Sequence, residues 1–364
     1  MNPFMLRIDL ACAAALAVCS AGAAADEFVV TPLGPPVEFQ QPVEGGAGAF
    51  QVDRTIEASA AATVGDGGRL VVAHDKAVPL RLVETATGRE VKTLTSPRFP
   101  AETPKSTKWE AMAQDADGGL YVVGSHSGKT EDERAQHRSL IRFHLVDGPD
   151  GLPTIDDASV VSWALDAGLE RALRSLGLSD GAVARRKVEG LTIREPASPN
   201  RRELVVGLRE PDDLVRAFVV HVPTSADGAP LEPTPLFAFE PGEIDGVRRQ
   251  LTSLEYVPAW RGFAIVTATE DADNAFHGNT LWFASDDRIA RADGATITPE
   301  KVWEFEPAMK AEGLCILPTP GPGPDADPAT ATVRFAIVYD NDAHVTGSPG
   351  RSQVVDVAHR ASVE

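Results

Sequence analysis

The sequence is poor in cysteine, and this scarcity excludes a fold held together by disulfide bonds. Only three cysteines occur among 364 residues, and two of them lie within the first 25. The remaining one, Cys315, has no partner for an internal disulfide. Because it sits in the apolar run "GLCIL", with no feature nearby that would favour the thiolate, we expect a buried thiol rather than a nucleophile.

The sequence also lacks an excess of positive charge and, beyond its first 25 residues, long apolar runs. It has 34 lysines and arginines against 53 acidic residues, a net charge of −19. This balance argues against nucleic acid as a partner. No later segment contains 18 consecutive apolar residues, the length that a membrane-spanning helix requires. We therefore expect a soluble mature protein without a membrane span. We also expect it to be a monomer.

Residues 1–25 have the pattern of a secretory signal peptide. The short apolar run "LACAAALAV" is followed by "SAGAAA", which places Ala23 and Ala25 at the −3 and −1 positions of a cleavage site. This pattern predicts cleavage near Ala25 and a periplasmic or secreted protein. A lipoprotein signal at Cys19 is the alternative, and the bulky Val18 before that cysteine disfavours it.

What the sequence has in abundance is a repeated pair of short strands. Each pair begins with an apolar strand, turns through glycine, proline or aspartate, and continues into a strand rich in valine and isoleucine. The five pairs lie at 54–76, 107–127, 186–210, 249–271 and 309–342. Further strands follow each pair, so that the period is about 60 residues with four strands per unit. That pattern is typical of an all-β fold, the β-propeller of four-stranded antiparallel blades.

Counting strands gives five blades in a single domain that spans 26–364. The last unit has only three strands, and "EFVVTPLG" (27–34) can supply the fourth and close the ring. A sixth blade built from the N-terminal region and 150–186 is the alternative. The leucine spacing in 166–178 predicts one short helical insertion, which would cap one face of the disc or, alternatively, act as a lid.

Three near-copies of one motif, "KWEAM", "KVEGL" and "KAEGL", open the inner strands of three blades. A lysine and a glutamate two residues apart on a strand point to the same side, here the central channel. Across the five units the first position holds Thr55, Lys108, Lys187, Gln250 and Lys310. The second position holds Glu57, Glu110, Glu189, Thr252 and Glu312. The fourth unit thus lacks both charges.

The second strand of each pair ends in polar residues, and because it runs antiparallel these lie beside the motif. They include His74, His126, Arg209, Asp340 and Asp342. The pattern therefore predicts one charged basin on one face of the disc.

Two interpretations of this basin stay open. In the structural one, lysine–glutamate pairs join neighbouring blades and set their register rather than adding strength. In the functional one, the basin binds a charged ligand, with three groups of residues in separate roles. The catalytic candidates are Glu189, Glu312 and His126. The candidates for binding an anionic substrate are Lys108, Lys187, Lys310 and Arg209. The candidate metal ligands are Glu57, Glu110, Asp340 and Asp342, whose oxygens suit Ca²⁺. No organic cofactor is expected.

The segments "EGL", "GSHS", "GLREP" and "YDND" resemble a bacterial family of secreted domains of unknown function. That family is similar to the propellers described as esterase-like phytases, and the resemblance covers about 50–357. The resemblance to these phytase-like relatives implies a calcium-rich propeller that hydrolyses phosphomonoesters. Two hypotheses follow: a metal-dependent phosphoester or ester hydrolase, or a non-catalytic propeller that binds a small anionic ligand or a partner protein. The charges missing from the fourth unit favour the second.

Overall fold

The computed structural model describes residues 27–360, apart from several short segments. The segments left out are 47, 76–77, 101–107, 129, 195–200, 211–212, 224–227, 274, 320–330 and 341–347. The predicted signal peptide and the candidate ligand Asp342 lie outside the described residues. Cleavage near Ala25 and export therefore stay predictions.

Most of the described chain forms short antiparallel strands. Four strands precede the first blade: β1 (Glu27–Pro32), β2 (Val37–Glu38), β3 (Gln40–Pro42) and β4 (Phe50–Val52). Blade 1 consists of β5 (Ala58–Val64), β6 (Arg69–His74), β7 (Leu80–Glu84) and β8 (Glu90–Leu94). Blade 2 begins with β9 (Trp109–Gln114), β10 (Leu120–Gly124) and β11 (Ser139–Phe143), then adds the hairpin β12 (Leu145–Asp147) and β13 (Pro153–Ile155), and ends with β14 (Val161–Ala164).

The remaining blades follow the same order, and in blades 3 and 5 the first strand is innermost. Blade 3 consists of β15 (Lys187–Arg194), β16 (Arg201–Glu210), β17 (Val215–Pro223) and β18 (Thr234–Phe239). Blade 4 consists of β19 (Glu243–Ile244), β20 (Val247–Val257), β21 (Gly262–Glu270), β22 (Phe276–Ser285) and β23 (Glu300–Glu304). Blade 5 contains β24 (Ala311–Leu317), β25 (Thr332–Tyr339) and β26 (Arg351–Arg360). The helices are α1 (Glu131–Gln136), α2 (Asp166–Ser175), α3 (Asp180–Ala184) and α4 (Asp286–Ala292).

The N-terminal strand supplies the outer strand of the last blade. β1 pairs antiparallel with β26, from Glu27 opposite Arg360 to Pro32 opposite Val355. The inner strands β5, β9, β15, β20 and β24 contact one another in that order, and β24 contacts β5 again. The protein is thus a five-bladed β-propeller, as predicted. The six-bladed alternative is wrong, because 150–186 forms the edge strand of blade 2 and two helices instead of a blade.

The predicted helical insertion is α2, and it packs between blades instead of covering a face. Leu169 and Leu173 are fully buried in a core cluster that includes side chains of blades 2 and 3, whereas Leu176 is 40% exposed. At Gly168 an added Cβ would lie 2.0 Å from the carbonyl oxygen of Leu231, so the helix approaches the neighbouring chain closely. Within the described ranges, the helices are too short or too polar to cross a membrane.

Candidate functional site

Every inner strand is interrupted at the same place by a β-bulge. The residue left without a partner across the pairing is Ser59, Glu110, Glu189, Thr252 or Glu312, in blade order. A bulge redirects the side chain of its extra residue. This register corrects the sequence alignment of blade 1: Ser59 occupies the glutamate position, and Glu57 lies two residues earlier, at the lysine position.

The residue after each bulge is small because neighbouring blades approach closely there. These residues are Ala60, Ala111, Gly190, Ser253 and Gly313. A Cβ on Gly313 would lie 2.5 Å from Val338 Cγ2 and 2.8 Å from Ala60 Cα in blade 1. A Cβ on Gly190 would lie 2.7 Å from Leu254 Cβ in blade 4. The small residue of the repeated motif is therefore a packing requirement between blades.

The charged residues of the first three blades form a continuous series of ion pairs. Lys108 Nζ lies 3.5 Å from Asp75 Oδ2 in blade 1 and 3.3 Å from Glu110 Oε1. The same Glu110 oxygen lies 3.6 Å from Lys187 Nζ in blade 3. Lys187 also contacts Glu189, two residues along its own strand. Blades 1, 2 and 3 are thus linked through alternating charges.

The series continues through blades 4 and 5. The Nη1 and Nη2 atoms of Arg209 lie 3.5 Å from Glu189 Oε1 and 3.2 Å from Glu270 Oε2. Lys310 Nζ lies 3.2 Å from the same Glu270 oxygen and 3.1 Å from Glu312 Oε1. We call the whole series the ion-pair chain; its members are Asp75, Lys108, Glu110, Lys187, Glu189, Arg209, Glu270, Lys310 and Glu312.

Blade 4, which lacks the motif's charges, joins its neighbours through hydrogen bonds and through Glu270. Gln250 Oε1 accepts a hydrogen bond of 2.6 Å from Arg209 Nε. The bulge residue Thr252 donates a 2.8 Å hydrogen bond to the Ala311 carbonyl in blade 5. In blade 1, Ser59 donates in the same way to the Trp109 carbonyl of blade 2. A bulge hydroxyl thus joins blades where the glutamate is absent.

Burial sets the pKa values in the ion-pair chain, and the partner charges modify them. Burial raises the pKa of the Glu189 and Glu312 carboxyls, against the opposing effect of Lys187 and Lys310. Burial acts in the same sense on Glu270, but Lys310 and Arg209 outweigh it and lower the pKa of that carboxyl. Lys108 has a raised pKa, chiefly because of Glu110. Lys108 and Arg209, whose pKa is raised, therefore stay charged at neutral pH.

Two further candidates lie beside the ion-pair chain, as shown by backbone hydrogen bonds. The Asp340 amide donates to the Lys310 carbonyl at 3.0 Å, and the Asp75 amide donates to the Glu57 carbonyl at 3.3 Å. Both Glu57 and Asp340 are buried, with 6% and 9% of their surface exposed. The structure thus brings the predicted lysines, Arg209 and the described acidic candidates together at one end of the channel.

The side chain of His126 is fully buried and contacts the inserted helix. Its Nδ1 lies 3.3 Å from Asp166 Oδ1 at the start of α2, and Arg186 contacts the same carboxylate. Burial lowers the pKa of the His126 imidazole. Although burial favours a higher value, His126 and Arg186 lower the pKa of Asp166 to about 2. In the described part of the chain no ion pair joins His126 to the ion-pair chain, and its catalytic role stays a prediction.

The ion-pair chain does not have the donor set of a Ca²⁺ site. Among the described residues, no three histidine, cysteine, aspartate or glutamate side chains converge as metal ligands. Glu110, Glu189 and Glu312 each have a lysine ammonium as a partner. Ca²⁺ requires six to eight oxygen ligands, and nearby ammonium groups oppose its charge. Glu110, as it is paired here, therefore does not fit the ion, and calcium binding at Glu57, Glu110, Asp340 and Asp342 stays a prediction.

A cavity of about 580 Å³ lies where the inner strands end, at the opposite end from the ion-pair chain. All five blades contribute to its wall, for example through Ala61, Met112, Ile193, Glu255 and Cys315. Its volume is within the usual range for sites that bind small molecules. Sequence reasoning missed this cavity because the small apolar residues around it carry no chemical signal.

Comparison with known proteins yields distant similarity of fold and nothing closer. No family model matches the sequence, and no curated protein matches it. Similar solved structures include glutaminyl cyclase from Myxococcus xanthus, at 10% identity over 91% of this chain and 98% of the other, with a TM-score of 0.40. An exo-β-1,3-galactanase from Phanerochaete chrysosporium matches at 9% identity over 90% and 64%, with a TM-score of 0.45. Hydrazine synthase from Kuenenia stuttgartiensis matches at 13% identity over 79% and 66%, with a TM-score of 0.33.

The chain thus spans less than two thirds of two of these three structures. The assignment to the β-propeller fold rests on the sheet order of this protein itself.

Proposed function

We propose that this protein is an exported, non-catalytic propeller that binds a small ligand, with the ion-pair chain acting as a brace between blades. The observation that carries the proposal is the sharing of charges. Each of the four cations, Lys108, Lys187, Arg209 and Lys310, lies within 4 Å of two carboxylates. An anionic ligand would have to displace a carboxylate from each cation that it bound, and breaking a buried ion pair is strongly unfavourable.

The cavity at the other end of the channel supports the binding part of the proposal. Ligand pockets are concave, mostly apolar and carry few polar groups. The cavity is concave, and its wall combines apolar side chains such as Ala61, Met112 and Ile193 with polar ones that include Asp115 and Glu255. It also lies on the propeller axis, where all five blades hold its shape.

Two methionines allow the two ends to be monitored in one experiment. Mature protein would contain only Met112, in the cavity wall, and Met309, next to Lys310 at the ion-pair chain. With methionine methyl groups labelled by ¹³C, a screen of small molecules should find ligands that shift the Met112 signal and leave Met309 unchanged. If phosphate or phytate instead shifts Met309 and no compound shifts Met112, the proposal is wrong.

A hydrolase at the charged end is the second candidate, and one observation favours it. Glu189 and Glu312 are buried carboxyls with a raised pKa, a property shared with general acids and bases. The resemblance to esterase-like phytases points to phosphomonoesters and to Ca²⁺. Hydrolysis of aryl phosphate, aryl ester or phytate by the mature protein with Ca²⁺, lost in both Glu189→Gln and Glu312→Gln, would establish this function. Equal rates in the wild type and both variants would reject it.

A further inference from the structure

One carboxylate of the cavity wall, Glu255, has no charged partner among the described residues. The inference drawn from it rests on the proposed role of the cavity as a binding site. Glu255 lines the cavity and is partly accessible, and its accessible surface faces that space. Among the described residues, no hydrogen-bond donor or cation is paired with its side chain. Burial alone raises the pKa of this carboxyl well above its usual range.

The ionisable groups that face Glu255 from the other inner strands do not compensate its charge. β5 and β15 contribute only uncharged lining residues, among them Thr63 and Ile193. β24 contributes Cys315, a thiol whose pKa is raised by burial and further by the charge of Glu255. The cavity wall thus has no group on these three strands that would hold the carboxylate in its ionised form.

The remaining lining groups are already engaged elsewhere. Asp115, which follows β9, lies 3.0 Å from Arg142 and accepts the Gly119 amide at 2.7 Å. Tyr256 on β20 donates its hydroxyl proton to Asp286 at 2.8 Å. Burial raises the pKa of that phenol to about 12, and Asp286 adds to the increase. Glu255 is therefore the one lining carboxylate that the described residues leave to a ligand.

A carboxylate in an apolar cavity is unfavourable unless a cation or a hydrogen-bond donor reaches it. Lysine and arginine pair with every carboxylate of the ion-pair chain, but the described residues place neither beside Glu255. We propose that the cavity binds a small apolar molecule that carries one ammonium group, and that this ammonium group pairs with Glu255.

The cavity wall also defines which molecules are excluded. Its lining residues include no lysine or arginine. A carboxylate or phosphate ligand would therefore meet two acidic side chains, Glu255 and Asp115, and no cation. A neutral molecule would fill the apolar space but leave Glu255 without a partner.

Binding of a cation must be linked to the proton of Glu255. An ammonium ion favours the ionised carboxylate, so a proton leaves Glu255 when the ligand binds at a pH below the raised pKa. Affinity for a cation of fixed charge then increases as the pH rises, until Glu255 is ionised in the free protein. Benzyltrimethylammonium is a suitable probe for this profile because its own charge does not titrate.

Three probes of one size test the charge requirement: benzylamine, benzyl alcohol and benzoate. In mature protein with ¹³C-labelled methionine, benzylamine should shift Met112 and leave Met309 unchanged. Its dissociation constant should be at least about tenfold lower than that of benzyl alcohol, because a charge-assisted contact with a buried group discriminates on that scale. Benzoate should produce no shift. In Glu255→Gln, benzylamine and benzyl alcohol should bind equally.

The outcomes separate this inference from the proposal on which it rests. If benzyl alcohol or benzoate shifts Met112 at least as strongly as benzylamine, the cavity is a binding site but the ligand class is wrong. If Glu255→Gln keeps the tenfold preference for benzylamine, Glu255 is not the partner of the ammonium group. If none of the three probes shifts Met112 at millimolar concentration, the inference is overturned, whereas the wider screen still decides whether the cavity binds anything.

Discussion

The two ends of the central channel treat buried charge in opposite ways. At one end, five carboxylates and four cations alternate through all five blades, and each cation is shared between two acids. At the other end, Glu255 lies in a cavity without a described partner. The number of charged residues is therefore a poor guide to a ligand site. The carboxylates of the ion-pair chain all have cationic partners, whereas Glu255 has none among the described residues.

The largest effect is expected where the ion-pair chain loses the cation that links blades 3 and 4. Arg209→Met would leave Glu189 and Glu270 without a guanidinium group, and the Glu312 charge is also felt at this position. Removing one partner of a buried ion pair typically lowers the free energy of unfolding by about 3–5 kcal/mol. Urea denaturation at neutral pH would measure the loss.

The matched control for Arg209→Met is Arg171→Met, which breaks an exposed pair with Glu232. These side chains are 54% and 68% exposed, and such pairs contribute about 0–1 kcal/mol. The deficit of Arg209→Met should also grow as the pH rises from 4 to 8. Arg209 lowers the pKa of both Glu189 and Glu270, so without it each pKa rises above its wild-type value and the carboxyls resist ionisation in the folded protein. Equal losses in the two variants would show that the ion-pair chain does not stabilise the fold.

A smaller effect is expected where the bulges bring blades together at the charged end. Gly313→Ala would place a Cβ 2.8 Å from Ala60 Cα and 2.5 Å from Val338 Cγ2. Overpacking of this kind costs about 1–3 kcal/mol of stability. Gly34→Ala is the control, since an added Cβ there meets nothing within 4 Å, and it should change stability by less than about 0.5 kcal/mol. Thermal or urea unfolding that ranks Gly34→Ala as the more damaging change would contradict the close approach.

At the cavity end, removing the charge should stabilise the protein. Glu255 has a raised pKa in the folded state, so the free energy of unfolding decreases as the pH rises from its ordinary value to the raised one. Glu255→Gln removes that decrease and should add on the order of 1 kcal/mol at pH 8, the scale of an unsatisfied buried polar group. The gain should vanish near pH 4. A loss of stability at pH 8 would mean that Glu255 already has a partner.

The smallest effect is expected from calcium. Because the carboxylates of the ion-pair chain are paired with lysine and arginine, millimolar Ca²⁺ should leave the melting temperature within about 1 °C of its value in EDTA. Differential scanning calorimetry of the mature protein makes the comparison. A rise of several degrees would restore the predicted metal site and, with it, the hydrolase hypothesis.

The repeat pattern was sufficient to predict the fold, whereas the details of the site depended on register. Strand alternation and turn residues predicted five blades, and the three-strand remainder correctly indicated that 27–34 would pair into the last blade. The bulges could not be predicted, because one extra residue in a strand leaves no mark in composition. Glu57 was therefore aligned where Ser59 belongs.

Two members of the ion-pair chain were missed for a related reason. Asp75 and Glu270 lie at the ends of second strands, in the tails "AHDK" and "TATED", and only the pairing register shows that they reach the neighbouring blade. Glu255 was missed because it stands out only by lacking a partner among the described residues. That lack depends on the packing of four other strands. His126 was placed with the basin, whereas the inserted helix α2 supplies its partner.

If charges at one end of the channel join blades to one another, a double-mutant cycle on one interblade pair will measure their coupling. Glu270 in blade 4 and Lys310 in blade 5 lie 3.2 Å apart. Urea unfolding of Glu270→Gln, Lys310→Met and the double variant gives the interaction energy of the pair. We predict a favourable coupling of at least about 1 kcal/mol, within the range found for residues in one ion-pair network. A coupling of zero within error would contradict this role of the charges.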